Sequence, residues 1–278
     1  MIYLFLIWFI TDAFYLLFRK QGWTAINYKQ EVIVQGFGLN LFIHYLLFLG
    51  MMFTVYTLGL APTAAVNITL PATLVLFSMM LFCLTLLGWI DDRWGDQKVK
   101  GFRGHFGRLI RDRHVTTGLA KAVFGLVVAL MVSWQLSSSW AEFILFSMAM
   151  ALSMHIFNLL DVRPGRALKS YWVFSAAVVP FLSIGTALFL VIPVFFSTLM
   201  LFRYDRRQLA MLGDTGSMAL GGTFGFQLIA HAPLFMVAVL VFFFLGLTIA
   251  AERISLTTWI EQHGWLAKWD RWGLVDKS

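Results

Sequence analysis

The segment TLVLFSMMLFCLTLLGWIDD, residues 73–92, decides the class of fold. Residues 73–90 carry no charge, and the segment ends on two adjacent carboxylates, Asp91 and Asp92. About 20 consecutive apolar residues are enough for a helix to cross the hydrocarbon core of a bilayer. The segment therefore predicts a membrane-spanning helix that meets the aqueous phase at a pair of acids.

Similar apolar runs recur along the whole chain. Of its 278 residues, 60% are hydrophobic and 13% are charged, whereas about 25% are charged in ordinary soluble proteins. We therefore predict an all-α, polytopic helical membrane protein with about nine transmembrane helices. The expected spans are 1–18, 34–58, 68–90, 118–136, 140–160, 170–184, 185–202, 217–230 and 233–251.

The positions of the 21 Lys and Arg residues predict how these spans are oriented. Four connectors contain none of them, and the remaining connectors and the C-terminal tail contain them all. Because basic residues collect on the cytoplasmic side, the N-terminus is expected outside and the C-terminus in the cytoplasm. That orientation requires an odd number of spans, in agreement with nine. We expect a multi-pass protein of the inner or plasma membrane.

Two units are expected along the chain. Residues 1–251 form a single transmembrane domain, and residues 252–278 form a cytoplasmic, amphipathic tail at the membrane interface. In that tail Trp265, Trp269 and Trp272 recur at helical spacing, which predicts one aromatic face at the interface. The connectors are too short to hold a soluble domain, so any chemistry is expected at the cytoplasmic membrane surface.

The net charge of +7 reflects topology rather than a nucleic-acid partner. The basic residues are spread over the cytoplasmic connectors, where they also attract anionic headgroups or an anionic substrate. The single cysteine, Cys83, lies inside an apolar run, so an intrachain disulfide and a cysteine-based metal cluster are excluded.

Three motifs place polar side chains at the cytoplasmic ends of predicted spans. GWIDDRWGD carries Asp91 and Asp92, HIFNLLDVRPGRALK carries Asn158 and Asp161, and LAMLGDTGSMALGG carries Asp214. Taken singly, such acids are surface ion pairs or helix N-caps as readily as functional groups. Their recurrence at one depth on one membrane face favours a common site, since acids near the apolar boundary need a partner or a metal.

The residue types suggest which ligand such a site would bind. Oxygen ligands without cysteine suit Mg²⁺, or alternatively Mn²⁺, and these ions commonly bridge protein carboxylates and substrate phosphates. Nearby Arg and Lys side chains offset phosphate charge. The motifs therefore predict chemistry on a phosphate at the membrane surface. Asn158 and Asp161 are three residues apart, which predicts that they share one helix face.

Together, DD at the end of a third span, NLLD at the end of a fifth and GDTGSMALGG at the start of a later one resemble a known family. This is the polyprenyl-phosphate N-acetylhexosamine-1-phosphate transferase family, which includes the phospho-N-acetylmuramoyl-pentapeptide and undecaprenyl-phosphate N-acetylglucosamine-1-phosphate transferases. The resemblance covers roughly residues 20–230. The chain looks like a version of the family that is shorter at its C-terminal end.

The resemblance implies a reaction and roles for individual residues. A polyprenyl phosphate attacks the β-phosphate of a UDP-sugar, which gives a polyprenyl-diphospho-sugar and UMP. The enzyme would be a Mg²⁺-dependent phosphoglycosyl transferase of the kind used in cell-wall biogenesis. Its partners would be the membrane, the lipid phosphate and the UDP-sugar, and a homodimer is left open. The implied residues are Asp91, Asp92 and Lys121 for catalysis, Asn158 and Asp161 for substrate and Asp214 for the metal.

The basic residues near these motifs are further candidates for binding substrate. His105 in the long basic connector is expected to be solvated or to contact phosphate. Arg163, Arg166 and Lys169 either bind the diphosphate or only set topology. The family's D-G-x-D-G stretch is DVRPGRA in this chain, with Pro164 at the second acid.

Two other functional classes are also compatible with the sequence. The departure at Pro164 and a tail in which His263 stands alone, where a family member has a histidine cluster, fit a diverged member. Such a protein would act as a lipid-binding or partner subunit in cell-envelope assembly. A secondary transporter is the third class, although transporter sites usually lie at mid-bilayer.

Overall fold

The structure of this protein, a computed structural model, describes residues 1–60, 72–95, 117–183, 185 and 187–275. This part of the chain is mostly helical. Its α-helices are α1 (Ile2–Lys20), α2 (Leu39–Thr57), α3 (Ala72–Trp94), α4 (Thr117–Leu136), α5 (Trp140–Leu160), α6 (Arg166–Val178), α7 (Ile192–Asp205), α8 (Gly213–His231), α9 (Leu234–Arg253), α10 (Leu256–Gln262) and α11 (Gly264–Arg271).

Six of these helices are long and apolar enough to cross a membrane, namely α1 to α5 and α9. The predicted all-α membrane class is therefore confirmed. The other three predicted spans fall on α6, α7 and α8. The bounds 170–184 and 185–202 are wrong: α6 already begins at Arg166 and is followed by a 3-10 turn at Val179–Phe181, and a π-helical turn at Ala187–Val191 leads into α7. Pro180 and Pro193 lie in the first turns of the 3-10 turn and of α7, where the missing N–H of proline costs no helical hydrogen bond.

Helix α8 lies at the centre of the fold, between α3 and α5. Nearly all of its 19 residues are buried, and many of them are Gly, Ala, Ser or Thr. A side chain at Gly221 would collide with the backbone of Met154 in α5, and one at Gly222 would collide with Leu84 in α3. Small residues therefore allow close packing around α8, and the neighbouring helices shield its polar groups.

A short antiparallel hairpin, β1 (Thr24–Ile26) and β2 (Val32–Val34), precedes α2. The side chain of Asn27 accepts hydrogen bonds from the amides of Lys29 and Glu31, which stabilises the turn. Val34 also forms a bridge to Ala210, just before α8. The span predicted from residue 34 therefore begins later, at Leu39, and the hairpin lies beside the N-terminus of α8.

The C-terminal segment folds back onto the protein as α10 and α11. The amide of Val275 donates to the carbonyl oxygen of Arg206, just after α7. Helix α11 ends at Arg271, so Trp272 lies beyond it, and the buried positions of α11 are Ala267 and Asp270. This segment therefore packs through a small residue and an acid as well as presenting tryptophans.

Candidate functional site

The site lies at the first turn of α8, which the C-terminal end of α3 contacts. Asp92 accepts hydrogen bonds from the backbone amides of Asp214 and Thr215, each at 3.0 Å, and from the Thr215 hydroxyl at 2.5 Å. Gln35 donates a fourth at 3.0 Å. Asp92 thus caps α8 from another helix, satisfying amides that have no partner within α8.

A glycine makes this contact possible. Gly213 has φ +70°, which favours glycine over other residues. A Cβ atom at Gly213 would also collide with the carboxylate of Asp92. Gly213 therefore allows the Asp92 carboxylate at the end of α3 to approach the N-terminus of α8. It also places the next residue, Asp214, beside Asp92.

Asp91 and Asp214 converge on a single lysine. The Nζ atom of Lys121 in α4 lies 2.7 Å from Asp91 Oδ2 and 2.8 Å from Asp214 Oδ1. The three side chains are not sealed off, because Lys121 is 15% exposed, Asp91 11% and Asp214 25%. Two carboxylates and one ammonium leave a formal charge of −1 at a place that small ions can reach.

Asn158 and Asp161 contact the same helix end from α5. The side-chain oxygen of Asn158 accepts a hydrogen bond from the Ser217 hydroxyl at 3.1 Å. Asp161 receives a hydrogen bond from the amide of Gly213. Asp161 is the C-cap of α5, with its amide bonded to the carbonyl oxygens of Phe157 and Asn158. Asn158 lines one cavity beside the helix end and Asp161 lines another.

The four carboxylates Asp91, Asp92, Asp161 and Asp214 are termed the acid cluster below. Desolvation raises the pKa of Asp161 well above its ordinary value, and the nearby carboxylates of Asp205, Asp214 and Asp92 raise it further. Desolvation also raises the pKa of Asp205 to about 7. The protonated carboxyl of either residue is able to donate a hydrogen bond as well as accept one.

A cavity of about 580 Å³, termed the hairpin cavity, opens beside Asp161. Its walls are the β1–β2 hairpin, the loop 161–164, and the segment between α7 and α8. Gln208 faces this cavity; it is 2% exposed and its side-chain oxygen has no hydrogen-bond partner in the structure. An unsatisfied buried acceptor is costly, so a ligand donor in the cavity would stabilise it.

Sequence reasoning missed most of the residues of this cavity, among them Tyr28, Asp205 and Gln208. Tyr28 lies in the hairpin turn, and the other two lie in or beyond the last turn of α7. The basic run RYDRRQ marks this segment only as a cytoplasmic connector. No spacing in it indicates a pocket.

A smaller cavity of about 170 Å³ lies between α4, α5 and α8. Lys121, His155 and Asn158 provide its polar side chains, and its other walls are apolar or glycine, including Leu126 and Met218. Lys121 therefore joins the acid cluster to an amphiphilic groove. This combination suits a ligand with an anionic head and an apolar body.

Three predicted binding residues face the C-terminal segment instead of the acid cluster. Arg163 pairs with Glu261 at 2.7 Å, Arg166 pairs with Asp270 at 2.7 Å, and Lys169 donates to backbone carbonyls at the end of α11. Arg166 is fully buried. Of the two roles left open for Arg166 and Lys169, the geometry does not favour a contact with a diphosphate, because internal acceptors engage both side chains. His105 lies outside the described residues.

The predicted metal is compatible with part of this arrangement. In the part of the chain that the structure describes, no three His, Cys, Asp or Glu side chains are placed to hold a metal ion by themselves. Mg²⁺, however, is commonly held by one or two carboxylates with substrate phosphates as further ligands. Asp91 and Asp214, which already converge on one cation, fit that requirement. Asp92 fits it poorly, because its oxygens accept four hydrogen bonds.

No protein-family model matches the chain, and no curated protein matches it. The geometry of the site and the motifs that form it therefore provide the basis for assigning a function.

Proposed function

We propose that the protein is a phosphoglycosyl transferase that moves a sugar-1-phosphate from a UDP-sugar to a membrane polyprenyl phosphate. One observation carries the proposal. Asp91 and Asp214, from two motifs far apart in sequence, meet on Lys121 at the loop end of apolar helices. The site is partly exposed, it combines acids with an ammonium, and it adjoins one polar and one amphiphilic cavity. The resemblance of the motifs to the transferase family supports the same assignment.

The reaction joins two phosphates. A non-bridging oxygen of the polyprenyl phosphate attacks the β-phosphorus of the donor, and the bond from that phosphorus to the oxygen of the α-phosphate breaks. The products are polyprenyl-diphospho-sugar and UMP. Lys121 is the ammonium that neutralises phosphate charge as it develops. Asp91 orients the lipid phosphate and accepts its proton where one is present.

Asp214 and Asp91 would hold Mg²⁺, or alternatively Mn²⁺. Bound there, the ion supplies positive charge that offsets the phosphates and orients them for in-line displacement. With both carboxylates ionised and no further cation, the formal charge of Asp91, Asp214 and Lys121 is −1, which would repel a diphosphate. Asp92 is a positioning residue in this proposal, because its hydrogen bonds fix the first turn of α8 and so the place of Asp214.

Each of the two cavities binds part of one substrate. The smaller one, with Lys121 and Asn158, takes the phosphate end of the lipid. The hairpin cavity takes the nucleoside end of the donor. Its polar groups include the acceptor of Gln208 and the carboxyls of Asp161 and Asp205. A volume of about 580 Å³ is in the range of small-molecule sites.

The proposed topology has nine crossings, with the N-terminus outside and the acid cluster on the cytoplasmic face. Ser138, in the turn between α4 and α5, lies at the opposite ends of these helices from Lys121 and Asn158. Cysteines introduced at Ser138 and at exposed Arg207, in a Cys83→Ala background, should react with an impermeant thiol reagent from opposite sides of the membrane. Labelling of both from one side would refute this topology.

The direct test measures UMP release by the purified protein. The reaction contains undecaprenyl phosphate, Mg²⁺ and one member of a panel of UDP-sugars. Turnover that requires both the lipid phosphate and the metal supports the proposal. No UMP release with any donor, from protein that remains folded, would overturn it.

A second candidate, a diverged member that acts as a lipid-binding or partner subunit, is favoured by one observation. Arg166 and Lys169 are hydrogen-bonded to the C-terminal segment, so they are not available to bind the UDP-sugar. Such a protein would bind polyprenyl phosphate at Lys121 without releasing UMP.

A further inference from the structure

The segment after Asp161 is joined to the C-terminal segment by a buried ion pair. Arg166 donates from Nε and Nη2 to the two oxygens of Asp270, at 2.7 and 2.9 Å, and from Nη1 to the Thr257 hydroxyl at 3.1 Å. The bidentate geometry fits a guanidinium and a carboxylate, and it gives the pair a fixed orientation. The pair therefore sets the position of α11 relative to the start of α6.

Lys169 reinforces this pair one turn further along α6. Its ammonium donates to the carbonyl oxygens of Trp269, Asp270 and Trp272, at 2.9, 2.6 and 3.2 Å. Carbonyls at the end of a helix have no partner within it and attract positive charge. Lys169 is almost fully buried, like Arg166. We term these contacts of Arg166 and Lys169 with Asp270 and the end of α11 the tail clamp.

The tail clamp lies next to the wall of the hairpin cavity. Arg166 is the first residue of α6, and Gly165 immediately before it has φ +71°. The amide of Gly165 donates to Asp205 Oδ2 at 2.6 Å. Gly165 is thus held between the clamp and a carboxyl of the cavity, and these contacts fix one end of the loop from Asp161 to Pro164.

A second connection ties the C-terminal segment to the opposite wall. The Arg163 guanidinium pairs with Glu261 of α10 and lies 4.4 Å from the ring centroid of Tyr28 in the hairpin turn. Glu261 is 54% exposed, so this pair is weak compared with the buried one. It nevertheless extends the contact from the tail across Arg163 to the hairpin.

We propose that the C-terminal segment positions the wall of the hairpin cavity, and that Asp270 does so by holding Arg166. Asp270 and Arg166 are positioning residues, and neither contacts the donor. For donor binding, this inference rests on the proposed function. It also changes the interpretation of Arg166, whose loss weakens donor binding through the loop and not through a lost phosphate contact.

The test uses full-length protein and two measurements. Hydrogen exchange of the peptide spanning residues 161–169 reports how well the backbone amides of the loop are protected, and the donor KM reports binding in the cavity. The variants are Asp270→Ala, Asp270→Asn, Arg166→Ala and the double alanine variant. Lys268→Ala, at an exposed position of the same helix, is the matched control. Asp270→Asn keeps the size of the side chain if the alanine variant does not fold.

Asp270→Ala should increase exchange across residues 161–169 and raise the donor KM about tenfold, a change of about 1.4 kcal/mol. Asp270→Asn should give a smaller change in the same direction. The lipid KM and kcat should change less than twofold, and Lys268→Ala should change neither measurement. Because Arg166 and Asp270 act as one unit, the double variant should be no worse than either single variant.

Unchanged exchange in both Asp270 variants would overturn the inference, whatever the activity of the protein. Increased exchange with an unchanged donor KM would overturn its connection to donor binding. Additive effects of Arg166→Ala and Asp270→Ala on donor KM would also overturn it, because Arg166 would then bind the donor itself. If no UDP-sugar is turned over, the proposed function fails, and hydrogen exchange alone still decides whether the tail holds the loop.

Discussion

The acid cluster and the tail clamp are both groups of charged side chains at the loop ends of helices, but their charges are satisfied to different degrees. In the tail clamp, the donors of Arg166 and Lys169 have acceptors inside the protein, and both side chains are buried. In the acid cluster, Asp91 and Asp214 share one ammonium and all three groups keep some exposure.

This difference shows why the number of basic residues near a loop is a poor guide to phosphate binding. A buried guanidinium that pairs with a carboxylate is not available to a substrate. Binding the substrate would break the pair and leave an uncompensated buried charge. A pair of carboxylates that share one lysine can still gain from a second cation. We therefore expect ligand chemistry at the acid cluster and a positioning role for the tail clamp. The following predictions test that division.

The largest effect is expected at Asp214. Asp214→Asn keeps the size of the side chain and the backbone amide that donates to Asp92, but it removes a carboxylate from the proposed metal site. Turnover, measured as UMP release, should fall at least about 1,000-fold, or roughly 4 kcal/mol. Thermal unfolding in detergent should change little.

The matched control is Asp12→Asn, another partly exposed acid, in the middle of α1. Asp12 pairs with Arg203 and Tyr204, away from the acid cluster, so its substitution should leave turnover within a fewfold of the parent. Near-parental turnover in Asp214→Asn would remove Asp214 from the catalytic site.

The next effect distinguishes the two roles of a lysine. In Lys121→Met, Asp91 and Asp214 lose the ammonium that neutralises them, so Mn²⁺ affinity measured by electron paramagnetic resonance should rise about tenfold. Turnover should nevertheless fall about 100-fold, because the phosphates lose the same charge. Lys20→Met, at an exposed position at the end of α1, is the control. Weaker Mn²⁺ binding in Lys121→Met would show that the lysine supports the metal site rather than competing with it.

Much of the fold follows from apolar length, and part of the site follows from the position of acids. The span 140–160 coincides with α5, and 118–136 nearly coincides with α4. Recurrence of acids at one membrane face predicted that Asp91, Asp161 and Asp214 lie near one another, and the structure brings them to one helix end. For Asp91 and Asp161 the ends of the apolar runs carry this information, because they mark where a helix meets water. Asp214 was placed by the recurrence of acids beside basic connectors, since α8 is not among the six apolar spans.

The partners of the basic residues could not be predicted from the sequence. Arg166 and Asp270 are 104 residues apart, and no local pattern indicates that the tail returns to α6. The hairpin cavity depends on the bridge between Val34 and Ala210, which joins segments of only a few residues. Short pairings of this kind are set by tertiary contacts and not by strand propensity.

The smallest effect is expected at Gln208, and it tests whether the hairpin cavity belongs with the acid cluster or with the tail clamp. The buried side-chain oxygen of Gln208 has no partner in the structure. If the donor's nucleoside offers it a hydrogen bond, Gln208→Leu should raise the donor KM about fivefold to tenfold, since a typical hydrogen bond contributes roughly 1 kcal/mol. The kcat and the lipid KM should be unchanged, because the side chain lies away from Lys121.

Stability gives an independent measurement at the same position. Leucine is of similar size and removes an unsatisfied buried acceptor, so the variant without ligand should unfold at the same temperature or slightly higher. Gln227→Leu is the matched control: this buried glutamine is bonded to Ser175 and Tyr171, so its loss should lower stability and leave the donor KM unchanged. If Gln208→Leu leaves the donor KM unchanged, the donor does not bind in the hairpin cavity. The hairpin would then serve only to pack against the loop that the tail clamp holds.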